Sequence, residues 1–121
     1  MTDQELMIYA AQAIGCVYSE EFEILFEKKY GNAVETKWNP LEDHNDAFNL
    51  MIDLALRFEY FAIDPFTESG KSVCVITWAP GGENNRILET LTETGNDFGK
   101  VLRRAIVKAA AKIGQNQLHV S

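Results

Sequence analysis

The chain has only two cysteines, Cys16 and Cys74. That is too few for a disulfide scaffold, and they lack the CxxC spacing that gathers thiolates around zinc. Both read as buried apolar fillers rather than nucleophiles. No apolar run continues beyond about ten residues without a charge, short of the roughly twenty that span a bilayer, so no membrane helix is expected. The opening residues MTDQELM are acidic and lack the basic and apolar stretches of a secretory signal, which predicts a protein that stays in the cell where it is made. Internal repeats, low-complexity tracts and Pro/Gly/Ser-rich linkers are missing too. So are GxxxxGK[ST], GxGxxG and GxSxG, which removes support for a nucleotide cradle or a serine-hydrolase elbow at Ser69 or Ser72. No cofactor or metal is expected.

What is present is ordinary globular composition, with 121 residues, 46% apolar and 24% charged. One domain of this size buries roughly two thirds of its unfolded surface. The formal charge of −7 favours solubility and opposes non-specific attachment to DNA or anionic membrane.

Punctuation and periodicity predict three helices. The first spans 3–15, with Thr2 and Glu5 as a capping box and Gly15 as a natural C′ residue. The second spans 44–56. Pro40 forces Asn39 out of the helical region, and Asp43 with Asp46 makes a second capping pattern. The third spans 96–113, opening near Thr94 or Asn96 and closing at Gly114, with 115–121 as a frayed tail. Alternation of Phe22, Ile24 and Phe26 with Glu21, Glu23 and Leu25 suggests a strand over 21–27 ending in a Tyr-Gly-Asn turn, a helix being the rival. Strands over 58–63, 72–78 and 86–92 follow as a meander, with TESG and PGGEN as turns. Val73, Val75 and Thr77 lie on one side of the middle strand and Cys74, Ile76 and Trp78 on the other, so that strand should be covered on both faces. The expected class is α+β, an antiparallel sheet of three to four strands between helices.

Three stretches, LMIYAAQAIG, WNPLEDHNDAFNLMIDL and RRAIVKAAAKIG, resemble in order and separation the phage ABA sandwich domain family of small bacteriophage and prophage proteins. The resemblance implies an antiparallel sheet between helical layers and a bacterial host cytoplasm as the setting. It implies no activity.

The densest group of reactive side chains is Trp38, Asn39, Asp43, His44 and Asp46. A histidine between carboxylates could serve as base or metal ligand, but at a helix start Asp43 and Asp46 already have amides to cap. Trp38 and Pro40 read as a corner fixing the entry to the second helix. Gly81 and Gly82 suit a hairpin turn better than an anion nest. On the third helix Lys100, Arg104, Lys108 and Lys112 recur every four residues, a basic stripe that is either a solvated face or a grip on phosphates. Glu20, Glu21, Glu23 and Glu27 with Asp43 and Asp46 read as solubilising charge ahead of nucleic-acid mimicry.

With catalytic motifs missing, the expected role is a non-enzymatic phage accessory protein that binds a host protein or a small signalling molecule. Two alternatives are a nucleic-acid-associated protein using Lys100, Arg104 and Lys108, and a small hydrolase around His44 and Asp46. Phe22, Phe26, Tyr30, Phe58, Tyr60 and Phe61 exceed what a thin sandwich hides, pointing to a homodimer face or a ligand groove near them.

Overall fold

The computed structural model describes residues 1–29, 32–67, 70–90 and 98–118, with side chains described for these except 26–29, 32–35 and 118. Its class is α+β, with antiparallel three-stranded sheets, and the chain builds two of them. In order the elements are α1 (Asp3–Ala13), β1 (Cys16–Ser19), β2 (Ile24–Lys29), β3 (Asn32–Lys37), α2 (His44–Asp53), β4 (Arg57–Phe61), β5 (Val73–Thr77), β6 (Arg86–Thr90) and α3 (Phe98–Leu118). The sheets run β1-β2-β3 and β4-β5-β6, antiparallel throughout.

Helix α1 starts as its capping pattern requires. Thr2 Oγ1 accepts from the Glu5 amide at 3.2 Å, and Glu5 Oε1 accepts from the Thr2 amide at 3.3 Å. It closes at Ala13, and Gly15 takes the left-handed conformation at φ +73 that exits a helix.

The long α3 lies against α1 along a seam of small residues. Ala110 and Ala111 of α3 and Ala10 and Ala11 of α1 lie in one buried cluster, and small side chains there let the two backbones approach closely. Gly114 belongs to this seam and is not the helix stop that the sequence suggested. The helix continues to Leu118, so residues 115–118 are helical rather than a frayed tail. The expected start at 96–97, the Thr94 and Asn96 caps and residues 119–121 of the expected tail lie outside the described residues.

The first sheet corrects the reading of residues 16–37. A single strand over 21–27 was expected; residues 20–23 instead turn, with Glu23 at φ +52, and strands flank them on both sides. Strands β1 and β3 escaped notice because CVYS is too short to show a period and NAVETK is mostly polar. Lys29 pairs with Asn32, and residues 30 and 31 of the Tyr-Gly-Asn turn lie outside the described residues.

Helix α2 ends three residues earlier than predicted. The Leu56 amide donates to Met51 O at 2.9 Å and the Ala55 amide to Ile52 O at 3.1 Å, with Ala55 at φ +51. This is a Schellman closure with alanine where glycine is usual, which hid it from a reading based on glycine.

Strand β5 is buried over its first four residues, and its two faces have different covers. Register puts Cys74 and Ile76 with Tyr60, Phe58, Glu89 and Ile87 on the face toward α3, where Phe98 meets both Phe58 and Tyr60 edge-on. Over the opposite face, Phe66 packs edge-on against Phe61 and under the Arg86 guanidinium. Asp64 holds that connection in shape. It is buried and accepts from the amides of Phe66 and Thr67 at 2.8 and 3.2 Å and from Thr67 Oγ1 at 2.6 Å. Against expectation, β4 stops at Phe61, β5 begins at Val73 and β6 is described to Thr90. Residues 91 and 92, and 68 and 69 of the TESG turn, lie outside the described residues.

Candidate functional site

The corner before α2 closes on itself through hydrogen bonds. The Asp46 amide donates to Asp43 Oδ1 at 3.0 Å, the Asp43 amide to Asn39 O at 2.8 Å, and the Asn39 amide to Asp46 Oδ2 at 2.9 Å. The N-cap Asp43 thus satisfies an orphan helix amide, while Asp46 reaches back across the corner. Trp38 and Pro40 are buried within it, and the Trp38 ring leans on Tyr18 at 5.8 Å.

His44 does not join these carboxylates. It faces α3, where Arg103 Nη1 stands 3.0 Å from each ring nitrogen and Arg103 Nε donates to Leu41 O at 3.0 Å. A guanidinium can only donate, so the imidazole serves it as an acceptor. Arg103 thereby ties the start of α2 to α3. Among the described residues no group of three or more His, Cys, Asp or Glu side chains is placed to hold a metal ion.

The basic stripe of α3 turns back onto the protein. Arg104 pairs with Asp3 at 3.0 Å, Lys108 pairs with Glu89, and Lys112 stands 5.9 Å from the centre of the Trp78 ring. Lys100 likewise has an interaction. Glu89 lies opposite Cys74 in the sheet, and burial, with Glu89 beside it, pushes the Cys74 thiol up to about 11. That thiol is not a nucleophile near neutral pH. In the PGGEN turn, Gly81 and Gly82 sit at φ +90 and +96, and the Gly81 amide donates to Trp78 O at 2.9 Å. The turn uses that amide for itself.

Two of the sequence candidates do converge on open space. Trp38 and Asp46 line a cleft of about 560 Å³ between α2 and the first sheet, together with Thr36, Asn49 and Asp53. Ala13, Ile14, Leu25, Leu50 and Leu54 supply its apolar lining. Asp46, Asn49 and Asp53 fall at i, i+3 and i+7 of α2 and therefore share one helix face. Burial raises the Asp46 carboxyl above its ordinary pKa. The Asn39 amide opposes that shift, and Asp43 adds to it. Among the described residues no Lys, Arg or His lines the cleft. Asn49 and Asp53 were missed from sequence, although the polar stripe D46-x-x-N49-x-x-x-D53 beside Leu50 and Leu54 was there to be read.

A second hollow of about 650 Å³, between the end of α2, Trp78 and the last turns of α3, is lined by Leu54, Ala55, Trp78, Ala79, Ile113, Asn116 and Gln117. None of these described lining residues is ionisable. No helix among the described residues is long and apolar enough to cross a membrane. No family model, curated protein or solved structure matches the chain.

Proposed function

We propose that the protein is a non-enzymatic binder of a small organic cation, which it holds in the cleft between α2 and the β1-β2-β3 sheet. One observation carries this reading: two carboxylates, Asp46 and Asp53, share a 560 Å³ cleft that no basic side chain among the described residues lines. Cavities of this size suit small molecules, with an apolar lining for the body and a few polar groups for orientation. Here Asp46 and Asp53 would take a protonated amine or guanidinium, Asn49 and Thr36 would hydrogen-bond its neighbours, and the leucines with Trp38 would hold its hydrocarbon part. The overall charge of −7 reinforces attraction of a cation.

The fit to catalysis is poorer. Asp46 spends one oxygen on the Asn39 amide, and His44 faces Arg103 on the other side of the helix start. The sequence resemblance to small phage proteins suggests that the ligand is a host metabolite sequestered in the bacterial cytoplasm.

Amide chemical shifts recorded during titration with agmatine, spermidine and tryptamine test the reading. Saturable shifts clustered at Thr36, Trp38, Asn49 and Asp53 are expected with at least one probe and are lost in Asp46→Asn/Asp53→Asn. Shifts spread evenly over the acidic surface, or unchanged in that variant, would rule it out.

A further inference from the structure

Strand β4 is an edge of its sheet: β5 pairs one side, and no described strand pairs the other. Its sequence, Arg57-Phe58-Glu59-Tyr60-Phe61, is exposed at its first four positions. Open edge strands invite pairing with another chain, and charged side chains on them are a common guard, except where the charges of the incoming strand complement them. This edge has one cation and one anion, two residues apart on the same face.

We infer that β4 pairs with β4 of a second copy, joining the two three-stranded sheets into one six-stranded antiparallel sheet about a two-fold axis. The charge pattern selects the register. In a symmetric antiparallel pair, facing residues share a side of the sheet, so the axis passes midway between the two copies of one residue. An axis at Glu59 would oppose two glutamates, and an axis at Tyr60 would set Glu59 against Phe61. An axis at Phe58 sets Arg57 against Glu59 of the second copy, twice over. Opposite charges directly across a pair of strands are favourable and like charges are not.

The same register brings the two Phe58 rings together on the α3 face, beside Phe98, which already packs edge-on against Phe58 and Tyr60. These rings are incompletely covered by their own chain: Phe58 is 36% exposed, Tyr60 49% and Phe98 40%. Phe48 on α2 lies next to them, 55% exposed, on a shallow hollow shared with Met51, Phe58 and Leu102. Pairing would remove this aromatic group from water.

Sedimentation equilibrium on four proteins tests the inference, with a thermal melt of each separating dissociation from unfolding. The wild type is expected to be a dimer. Arg57→Glu and Glu59→Arg should each weaken it by about tenfold or more, and the double variant R57E/E59R should regain most of the loss. A wild type that stays monomeric, or a dimer indifferent to the swaps, overturns the proposal. The register has its own test: Phe58→Cys should form a disulfide-linked dimer on mild oxidation and Tyr60→Cys should not. The native Cys16 and Cys74 are buried and do not compete. Equal crosslinking at position 60 overturns the register.

Discussion

A Cβ built on Gly114 of α3 would stand 1.9 Å from the carbonyl oxygen of Tyr9 on α1. Side-chain clashes can be relieved by a rotamer change, but this one is with backbone, and the next nearest atoms are backbone as well. Gly114→Ala must push the helices apart along their whole alanine seam. We expect a loss of about 3 kcal/mol or more, at the upper end of overpacking costs. A thermal melt would read this as a fall of roughly 10 °C, and a melting point unchanged within a degree or two would show the seam to be loose.

Ala55→Gly should have the opposite sign. Ala55 holds a left-handed conformation at φ +51 at the end of α2, which costs an L residue about 1–2 kcal/mol. Glycine removes that strain and gives back part of it as unfolded-chain entropy. The expected net gain is about 0.5–1 kcal/mol in urea denaturation, with no change in slope.

Asp64 should matter more than its place in a connecting segment suggests. While buried it accepts from the Phe66 amide and from the amide and hydroxyl of Thr67, and the segment it shapes brings Phe66 over β5. Asp64→Ala should cost about 2–4 kcal/mol, because donors are left without their acceptor where water is scarce. Asp64→Asn, which keeps an acceptor oxygen, should cost less than half as much. Equal losses in the two variants would mean that the carboxylate is not holding the turn.

Two members of the basic stripe should differ in their effect on stability. Arg104 and Asp3 are both well exposed, so Arg104→Ala should cost no more than about 0.5 kcal/mol. Lys108 meets a Glu89 that is only 17% exposed. Lys108→Ala leaves that carboxylate unpaired beside Cys74 and should cost about 1–3 kcal/mol. A pair of equal, negligible losses would return Lys108 to the solvated face that the sequence also allowed.

The parts of this fold that were legible in the sequence are those in which a local rule and the tertiary structure agree. Thr2 with Glu5, and Asp43 with Asp46, cap the helices that they appear to cap. The two apolar faces of Val73–Thr77 meant a strand covered twice. Elsewhere tertiary packing overrode the local signal. Gly114 looks like a helix stop and is a contact point, because the need of α1 to come close outweighs the propensity cost of a mid-helix glycine. Ala55 ends α2 without looking like an end. The candidate site was half visible for a related reason. Trp38 and Asp46 stood out as part of a dense cluster, whereas Asp53, a full seven residues on, joins them only once α2 is folded and laid against the first sheet. His44 stood out too, yet its partner Arg103 is 59 residues away and no spacing could announce it.

Calorimetric titration of agmatine, spermidine and tryptamine at a series of pH values reads whether the cleft holds a cation through Asp46 and Asp53. Asp46 is raised above the ordinary aspartate range chiefly by burial. A raised carboxyl favours the protonated form in the folded state, so ionising it as pH climbs costs stability, and a bound cation offsets that cost. Affinity should therefore fall on acidification, starting from a higher pH than an unperturbed aspartate would dictate, with proton release on binding in that window. Asp46→Asn should flatten that pH dependence and weaken binding. Affinity that ignores pH and survives both Asp46→Asn and Asp53→Asn would contradict the account, as would no heat of binding from any of the three amines.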